Sequence, residues 1–267
     1  FGIASQNQLG GAVNFAKPDS PLVLKGNLFV QCSILGSGAH GGAFYTTTKL
    51  LKTERNCMFK CASSFRCPAF FVTQMDCHYN STSDVFVECA NQGDSLLHCG
   101  GSWTRRCITR QMNASHNSVP SKKFVFFTGY SSNDHKDGIY QVTQTSLCMN
   151  SASEPLHPRY GNIYFDSLNM VENTGSGNLV SSITSSSLTF TNSTFLGNTH
   201  TAFGPKAVLV NCEFCGNKFT ASNSCDPKRT MNRVVMCIST GDFSVPKQIV
   251  SVLLLLWTSL VFGMVLA

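Results

Sequence analysis

Residues 29–44 read Phe29-Val30-Gln31-Cys32-Ser33-Ile34-Leu35-Gly36-Ser37-Gly38-Ala39-His40-Gly41-Gly42-Ala43-Phe44. The stretch holds an aromatic, a cysteine, a glycine-rich bend and then Gly-Gly-Ala-Phe. Both of its ends recur elsewhere. Gly10-Gly11-Ala12-Val13 precedes Gly41-Gly42-Ala43-Phe44, and Leu22-Val23-Leu24 and Asn27 to Cys32 lie between them as short apolar runs separated by bends. Recurrence with a period of a few tens of residues points to a solenoid, in which each repeat is one turn of the coil.

The second thread is aromatic plus cysteine. Phe29-Val30-Gln31-Cys32 is echoed by Phe86-Val87-Glu88-Cys89, and Phe59-Lys60-Cys61 lies midway. In a β-solenoid, equivalent side chains on neighbouring coils lie one strand spacing apart, about 4.8 Å. Cys32, Cys61 and Cys89 are therefore expected either to stack as buried thiols or to pair across coils. A third thread is clearest near the end. Phe195-Leu196-Gly197-Asn198 and Phe214-Cys215-Gly216-Asn217 are both F-x-G-N, and Met170-Val171-Glu172-Asn173 resembles them. The aromatic would face the interior. The Asn would follow at a corner, where it tolerates a left-handed backbone and its amide can bond neighbouring coils. Glycine at that corner avoids a Cβ clash, and stacked Asn side chains would satisfy polar groups at the bend.

Bulk properties agree with an all-β surface protein. The chain has 267 residues, which suits one elongated domain or two ordinary ones. Only 13% are charged, fewer than a helical enzyme would carry. The net charge of +6 is thinly spread. Arg105-Arg106 and Lys122-Lys123 read as solvated loops, and no basic stripe interleaved with aromatics marks a nucleic-acid partner. Thirteen cysteines fit disulfides in an oxidising compartment. Asn80-Ser81-Thr82, Asn113-Ala114-Ser115 and Asn192-Ser193-Thr194 make Asn80, Asn113 and Asn192 candidate N-glycosylation sites. The first residue is Phe1, which reads as a fragment or as the product of signal removal.

Two stretches break the rhythm. Residues 94–120, with Cys99-Gly100-Gly101 and Trp103, and residues 151–158 read as irregular loop excursions. Strand-like sequence stands at 123–127, 138–142 and 162–165. The ectodomain is read as 1–237, a juxtamembrane linker as 238–248, and an anchor as 249–267. This last segment is 19 uncharged residues, IVSVLLLLWTSLVFGMVLA, enough to cross about 30 Å of hydrocarbon as a helix. A spanning helix, a lipid-anchor signal near Gly241 and a cytosolic tail anchor compete. Lys228, Arg229, Arg233 and Lys247 favour the tail anchor under the positive-inside tendency. The cysteines and sequons favour an outside ectodomain, which is the reading adopted.

Gly-Gly-Ala-aliphatic paired with F-x-x-N resembles the repeat motif of the polymorphic membrane protein family of bacterial outer-membrane surface proteins; related repeats occur in protist surface proteins. Gly10 to Val13 meets the first motif, and Gly41 to Phe44 meets it with Phe in the last place. Phe195 to Asn198 and Phe214 to Asn217 meet the second. About half of the chain follows the pattern. The resemblance implies a right-handed parallel β-helix at a cell surface, used in adhesion or host contact. The bacterial family ends in a membrane β-barrel, whereas this chain ends in an apolar helix-length segment. Together with the cysteines and sequons, that points to a eukaryotic, protist-type plasma-membrane protein with one C-terminal span.

Parallel β-helices also serve as polysaccharide lyases and glycosidases, so a membrane-tethered carbohydrate-active enzyme is the alternative. Glycoside hydrolysis generally needs two positioned carboxylates. Asp134 and Asp137, flanking His135, are the most tempting, with Asp166 nearby, but Ser-Asn-Asp-His-Lys-Asp-Gly reads better as a solvated turn. Cys212-x-x-Cys215 with Cys225 and Cys237 lacks a second tight pair for zinc. Alternation would also turn Cys212 and Cys215 to opposite faces. Neither a phosphate loop nor a G-x-S-x-G elbow is present. No catalytic, cofactor or metal residue is therefore assigned. The expected partners are the membrane and a host protein or glycan, with the contacts in 94–120 and 131–137.

Overall fold

The computed structural model describes residues 4–219, apart from 7–8, 37–38, 65–66, 74–76, 92–97, 104–105, 120–123, 130–138, 160, 183–185 and 205. The strands form three sheets of 6, 8 and 12 strands, and every strand pair is parallel. Sequence neighbours almost never pair. Each strand pairs instead with its counterpart one coil on, so the chain is a β-solenoid of in-register parallel sheets. The solenoid belongs to the unit Phe1–Cys237. The expected membrane segment 249–267 lies outside the described residues.

The 8-stranded sheet sets the register most simply. Its strands are three residues long, and each turns its central residue inward. The inward column runs Phe29, Met58, Phe86, Ala114, Leu147, Met170, Phe195 and Phe214. All eight residues are buried. Both ends of these strands are left-handed. Before the strand stand Gly26, Arg55, Ser83, Gln111, Gln144, Ser167, Asn192 and Asn211. After it stand Gln31, Lys60, Glu88, His116, Met149, Glu172, Gly197 and Gly216. A non-glycine left-handed residue costs on the order of 1 kcal/mol or more. Here each such backbone N–H from Gln31 to Asn192 bonds the neighbouring coil, as Gln144 N does to Asp166 O at 2.9 Å and Met149 N to Val171 O at 2.8 Å.

The corner after the strand carries a continuous ladder. Asn150 Oδ1 accepts from Asn117 N and Nδ2, both at 3.0 Å. Asn173 Oδ1 accepts from Asn150, Asn198 from Asn173, and Asn217 from Asn198, in the same two-donor pattern. Each Nδ2 also donates to the carbonyl of the inward residue one coil back, such as Asn150 to Ala114 at 3.0 Å and Asn217 to Phe195 at 2.7 Å. The stacked amides expected of the F-x-G-N pair are thus present. The left-handed residue, however, is the one before each Asn: Glu172, Gly197 and Gly216.

Toward the N-terminus the same rungs are cysteines. Cys32, Cys61 and Cys89 are buried thiols, which settles their reading as a stack and not as disulfides across coils. Cys61 Sγ reaches Phe29 O at 3.6 Å and Cys89 Sγ reaches Met58 O at 3.5 Å. These are the carbonyls that an Asn amide takes further along. Cys89 N donates to Asn117 Oδ1 at 2.9 Å, joining the two halves. The middle echo, Phe59-Lys60-Cys61, is out of phase: Met58 faces inward, and Phe59 points out with Lys60 Nζ 5.0 Å from its ring.

The Gly-Gly-Ala copies also lie in register. Gly10 N bonds His40 O and Gly11 N bonds Gly41 O, while Val13 pairs with Phe44. Gly42 packs so closely beneath the next coil that a Cβ would collide with the carbonyl oxygens of Pro68 and Ala62. That approach requires glycine.

Where described, two expected loops are regular coil. Within 94–120, His98–Trp103, Arg106–Arg110, Asn113–Ser115 and Ser118–Val119 are strands paired to the coils on either side. Within 151–158, Ser151–Ala152 and Leu156–Pro158 pair likewise. Their Gly, Ser, Asn and Pro content hid them, and four of these six strands have only two or three residues, too few to show alternation.

A buried carboxylate stands in the corner before the 8-stranded sheet. Asp84 is 2% exposed. Its Oδ1 accepts from Asn56 N at 2.8 Å and Asn56 Nδ2 at 2.9 Å, and its Oδ2 from Ser81 Oγ at 2.7 Å. Burial raises its carboxyl above the ordinary range, against the opposing pull of these donors. The folded state therefore holds the proton more tightly than the unfolded chain. Stability falls as pH rises from the ordinary carboxylate value through the raised one, and stays lower above it. An asparagine in place of Asp84 could keep the acceptor and donate to Thr53 O, as Asn56 Nδ2 donates to Leu24 O at 2.9 Å. Asp84→Asn should raise the melting temperature by a few degrees at neutral pH, ~1 kcal/mol being worth ~2–4 °C in a domain of this size. The gain should vanish below the ordinary carboxylate value. A melting series over pH checks this; an equal gain at every pH would refute the linkage.

Candidate functional site

The corner between the 12-stranded and 8-stranded sheets opens as a groove of about 600 Å³. Its rim is the left-handed column, with Gln111, Gln144, Ser167 and Asn192 on successive coils. Its floor includes Asn113 and Asn169, which point out of the 8-stranded sheet at the first position of their strands. The fold places these residues by one device. Each coil ends a strand of the large sheet at Arg110, Thr143, Asp166 or Thr191. It then takes one left-handed residue and one inward residue, Met112, Thr145, Leu168 or Ser193, before starting the next strand. The side chains of the left-handed residues are turned outward and repeat at the strand spacing, ~4.8 Å.

The groove's chemistry is that of uncharged amides and a hydroxyl. Gln111 Oε1 accepts from Ser83 Oγ at 3.0 Å, and Asn192 Nδ2 donates to Asp166 Oδ1 at 3.0 Å. Asn211 Nδ2 reaches Asn192 Oδ1 at 2.6 Å. Asn169 Nδ2 contacts Ser146 Oγ at 3.4 Å. Asn113 is 6% exposed, and its Oδ1 has no hydrogen-bond partner among the described residues. That oxygen is sealed from the groove, and an unpaired buried acceptor of this kind is costly.

Asn80, Asn113 and Asn192 have different surroundings. Asn80 is half-buried on an outward strand position, and Asn192 is exposed at its corner. Asn113 lies on the groove floor, and a glycan attached there would have to occupy the groove. Asp134, His135 and Asp137 lie outside the described residues, as does the rest of 131–137. Asp166 stands at the strand end beside the groove, bonded by Asn192. Among the described residues, no three His, Cys, Asp or Glu side chains converge on a point where a metal could bind. Cys212 is buried with its Sγ 3.3 Å from Phe190 O, while Cys215 occupies the outward position of its strand. Burial pushes the Cys57 and Cys77 thiols up to about 12. That leaves them protonated and poor nucleophiles at neutral pH. His157 Nδ1 lies 2.6 Å from Ser181 Oγ, a hydrogen bond between outward residues of neighbouring coils.

The groove residues carry no common motif. What they share is a position one residue past the end of a strand, and only the register of the coils reveals it. Comparison with protein-family models, curated proteins and solved structures finds no match.

Proposed function

We propose that the chain is a non-enzymatic cell-surface protein of the Gly-Gly-Ala/F-x-x-N repeat class. Its solenoid is a right-handed parallel β-helix displayed outside the plasma membrane and held there by residues 249–267. Its work is contact with a host or neighbouring surface. The observation that carries this reading is the amide-lined groove, a shaped and uncharged recess on a rigid wall. The in-register Gly-Gly-Ala copies and the ladder through Asn198 and Asn217 support the repeat class. The exposed sequon at Asn192 and the half-buried one at Asn80 support passage through the secretory route. Any disulfides would draw on Cys99, Cys148, Cys215, Cys225 and Cys237, the cysteines outside the thiol set.

The test is expression of the full chain in eukaryotic cells with an epitope before Phe1. The epitope should be reached by antibody on intact cells, and an Asn192→Gln variant should migrate faster by one glycan. The expressing cells should adhere to untransfected ones. An epitope seen only after permeabilisation would overturn the topology, and surface display without adhesion would overturn the contact role.

A further inference from the structure

We infer that the groove between the 12- and 8-stranded sheets is a row of subsites for an uncharged, extended glycan, with about one sugar residue per coil. This inference rests on the surface-contact reading and names the ligand class of that same site.

Three observations point to it. The first is the lining. Gln111, Asn113, Gln144, Asn169 and Asn192 bring five carboxamides and Ser167 a hydroxyl. A carboxamide offers both donor and acceptor, which matches a sugar hydroxyl in either role. No charged side chain is among these lining residues, so a sulfate, phosphate or carboxylate entering the groove would lose water without gaining a counter-charge. The second is periodicity. Gln111, Gln144, Ser167 and Asn192 share one backbone conformation, with φ of 55°, 50°, 55° and 50°. Their side chains therefore leave the wall in the same direction at steps of ~4.8 Å, comparable with the length of one pyranose in an extended chain. A linear glycan laid along the solenoid would meet the same kind of group at each residue. The third is accessibility: Gln111, Gln144 and Asn192 are all exposed along the rim. The frame behind these groups is fixed by coil-to-coil hydrogen bonds, so little order has to be gained on binding.

The experiment uses the full-length chain in detergent micelles. It would be titrated with neutral β-linked tetra- to hexasaccharides and, separately, with heparin-derived oligosaccharides of the same length. Neutral oligosaccharides should bind, with affinity rising as the chain lengthens toward four sugars, and the sulfated set should bind at least tenfold more weakly. Gln144→Ala should weaken neutral binding about tenfold, the loss of one well-made hydrogen bond to a ligand. Because Gln144 is exposed, its melting temperature should stay close to that of the parent. Met149→Ala, at the exposed left-handed position of the opposite corner, should leave binding unchanged. Preference for the sulfated set, no binding of either set, or indifference to both Gln144→Ala and Gln111→Ala would overturn the inference. So would a glycan found on Asn113 of the folded protein by mass spectrometry, since the groove would then hold the chain's own sugar. Cell adhesion that survives Gln144→Ala would sink the groove alone, whereas absence of adhesion would sink the surface-contact reading itself.

Discussion

Replacing Asn150 with alanine is expected to cost ~4 kcal/mol of stability, because it strands two buried backbone groups at ~1–3 kcal/mol each as well as losing its own bonds. Asn150 sits mid-ladder. Its Oδ1 takes the Asn117 backbone N–H and amide, and its Nδ2 gives to Ala114 O and Asn173 Oδ1. Removing it leaves the Asn117 N–H and the Ala114 carbonyl without these partners, in a corner that is fully buried. A solenoid is held by nearest-neighbour contacts, so the damage should be local before it is global. Hydrogen exchange should lose protection first at 114–118 and 147–151, and thermal unfolding should broaden or split into two steps. Asn217→Ala provides the comparison: it strands the equivalent pair, Asn198 N–H and Phe195 O, but Asn217 is only half-buried and donates to no further described rung. It should cost less, because water can reach the groups left unpaired there. Equal losses from the two substitutions would mean that the ladder does not act as a chain of coupled rungs.

Phe195→Ala should be similarly severe, at ~3–5 kcal/mol for a buried Phe truncated in a packed core. Phe195 is 0% exposed. It stacks on Phe214 with ring centroids 4.7 Å apart, and meets Phe190 at 5.8 Å and Phe203 at 5.1 Å edge to face. Each such pair adds ~0.5–1.5 kcal/mol beyond area burial. The cluster fills the solenoid interior between the two larger sheets, where neighbouring coils cannot close in without breaking the Asn198 rung. A cavity should therefore persist rather than collapse. Urea unfolding measures the loss. Phe195→Leu should recover more than half of it by refilling the volume, and failure to do so would show that ring geometry, not volume, holds the cluster together.

Much of the fold is visible in short motifs because their residues meet steric demands that few others satisfy. Gly42 lies against two carbonyl oxygens, and Asn198 has the one amide geometry that serves a rung and a carbonyl at once. The spacing of Cys32, Cys61 and Cys89 likewise foretells one column, while only the folded coil shows that they are thiols and not disulfides. The cysteine and F-x-G-N threads, however, look unrelated in the sequence and prove to be one column. Its rungs are 28, 33, 23, 25 and 19 residues apart from Cys89 to Asn217. Unequal coil lengths defeat a search for a fixed period. Ala114-Ser115-His116-Asn117 and Leu147-Cys148-Met149-Asn150 are therefore members of the motif that composition conceals. Asp84 is hidden in the same way: it substitutes for an Asn in the column of Asn27 and Asn56.

The order of residues alone establishes that the chain coils, since recurrent glycine bends, short apolar runs and corner asparagines have no other economical packing. The folded coil was needed to learn which residues share a rung, that 94–120 and 151–158 are coil, and that Gln111, Gln144, Ser167 and Asn192 line one groove. The reason is physical. A parallel sheet is paired across whole coils, so register depends on how much chain each turn spends between strands. That length is set by packing against the neighbouring coil, which no local pattern records.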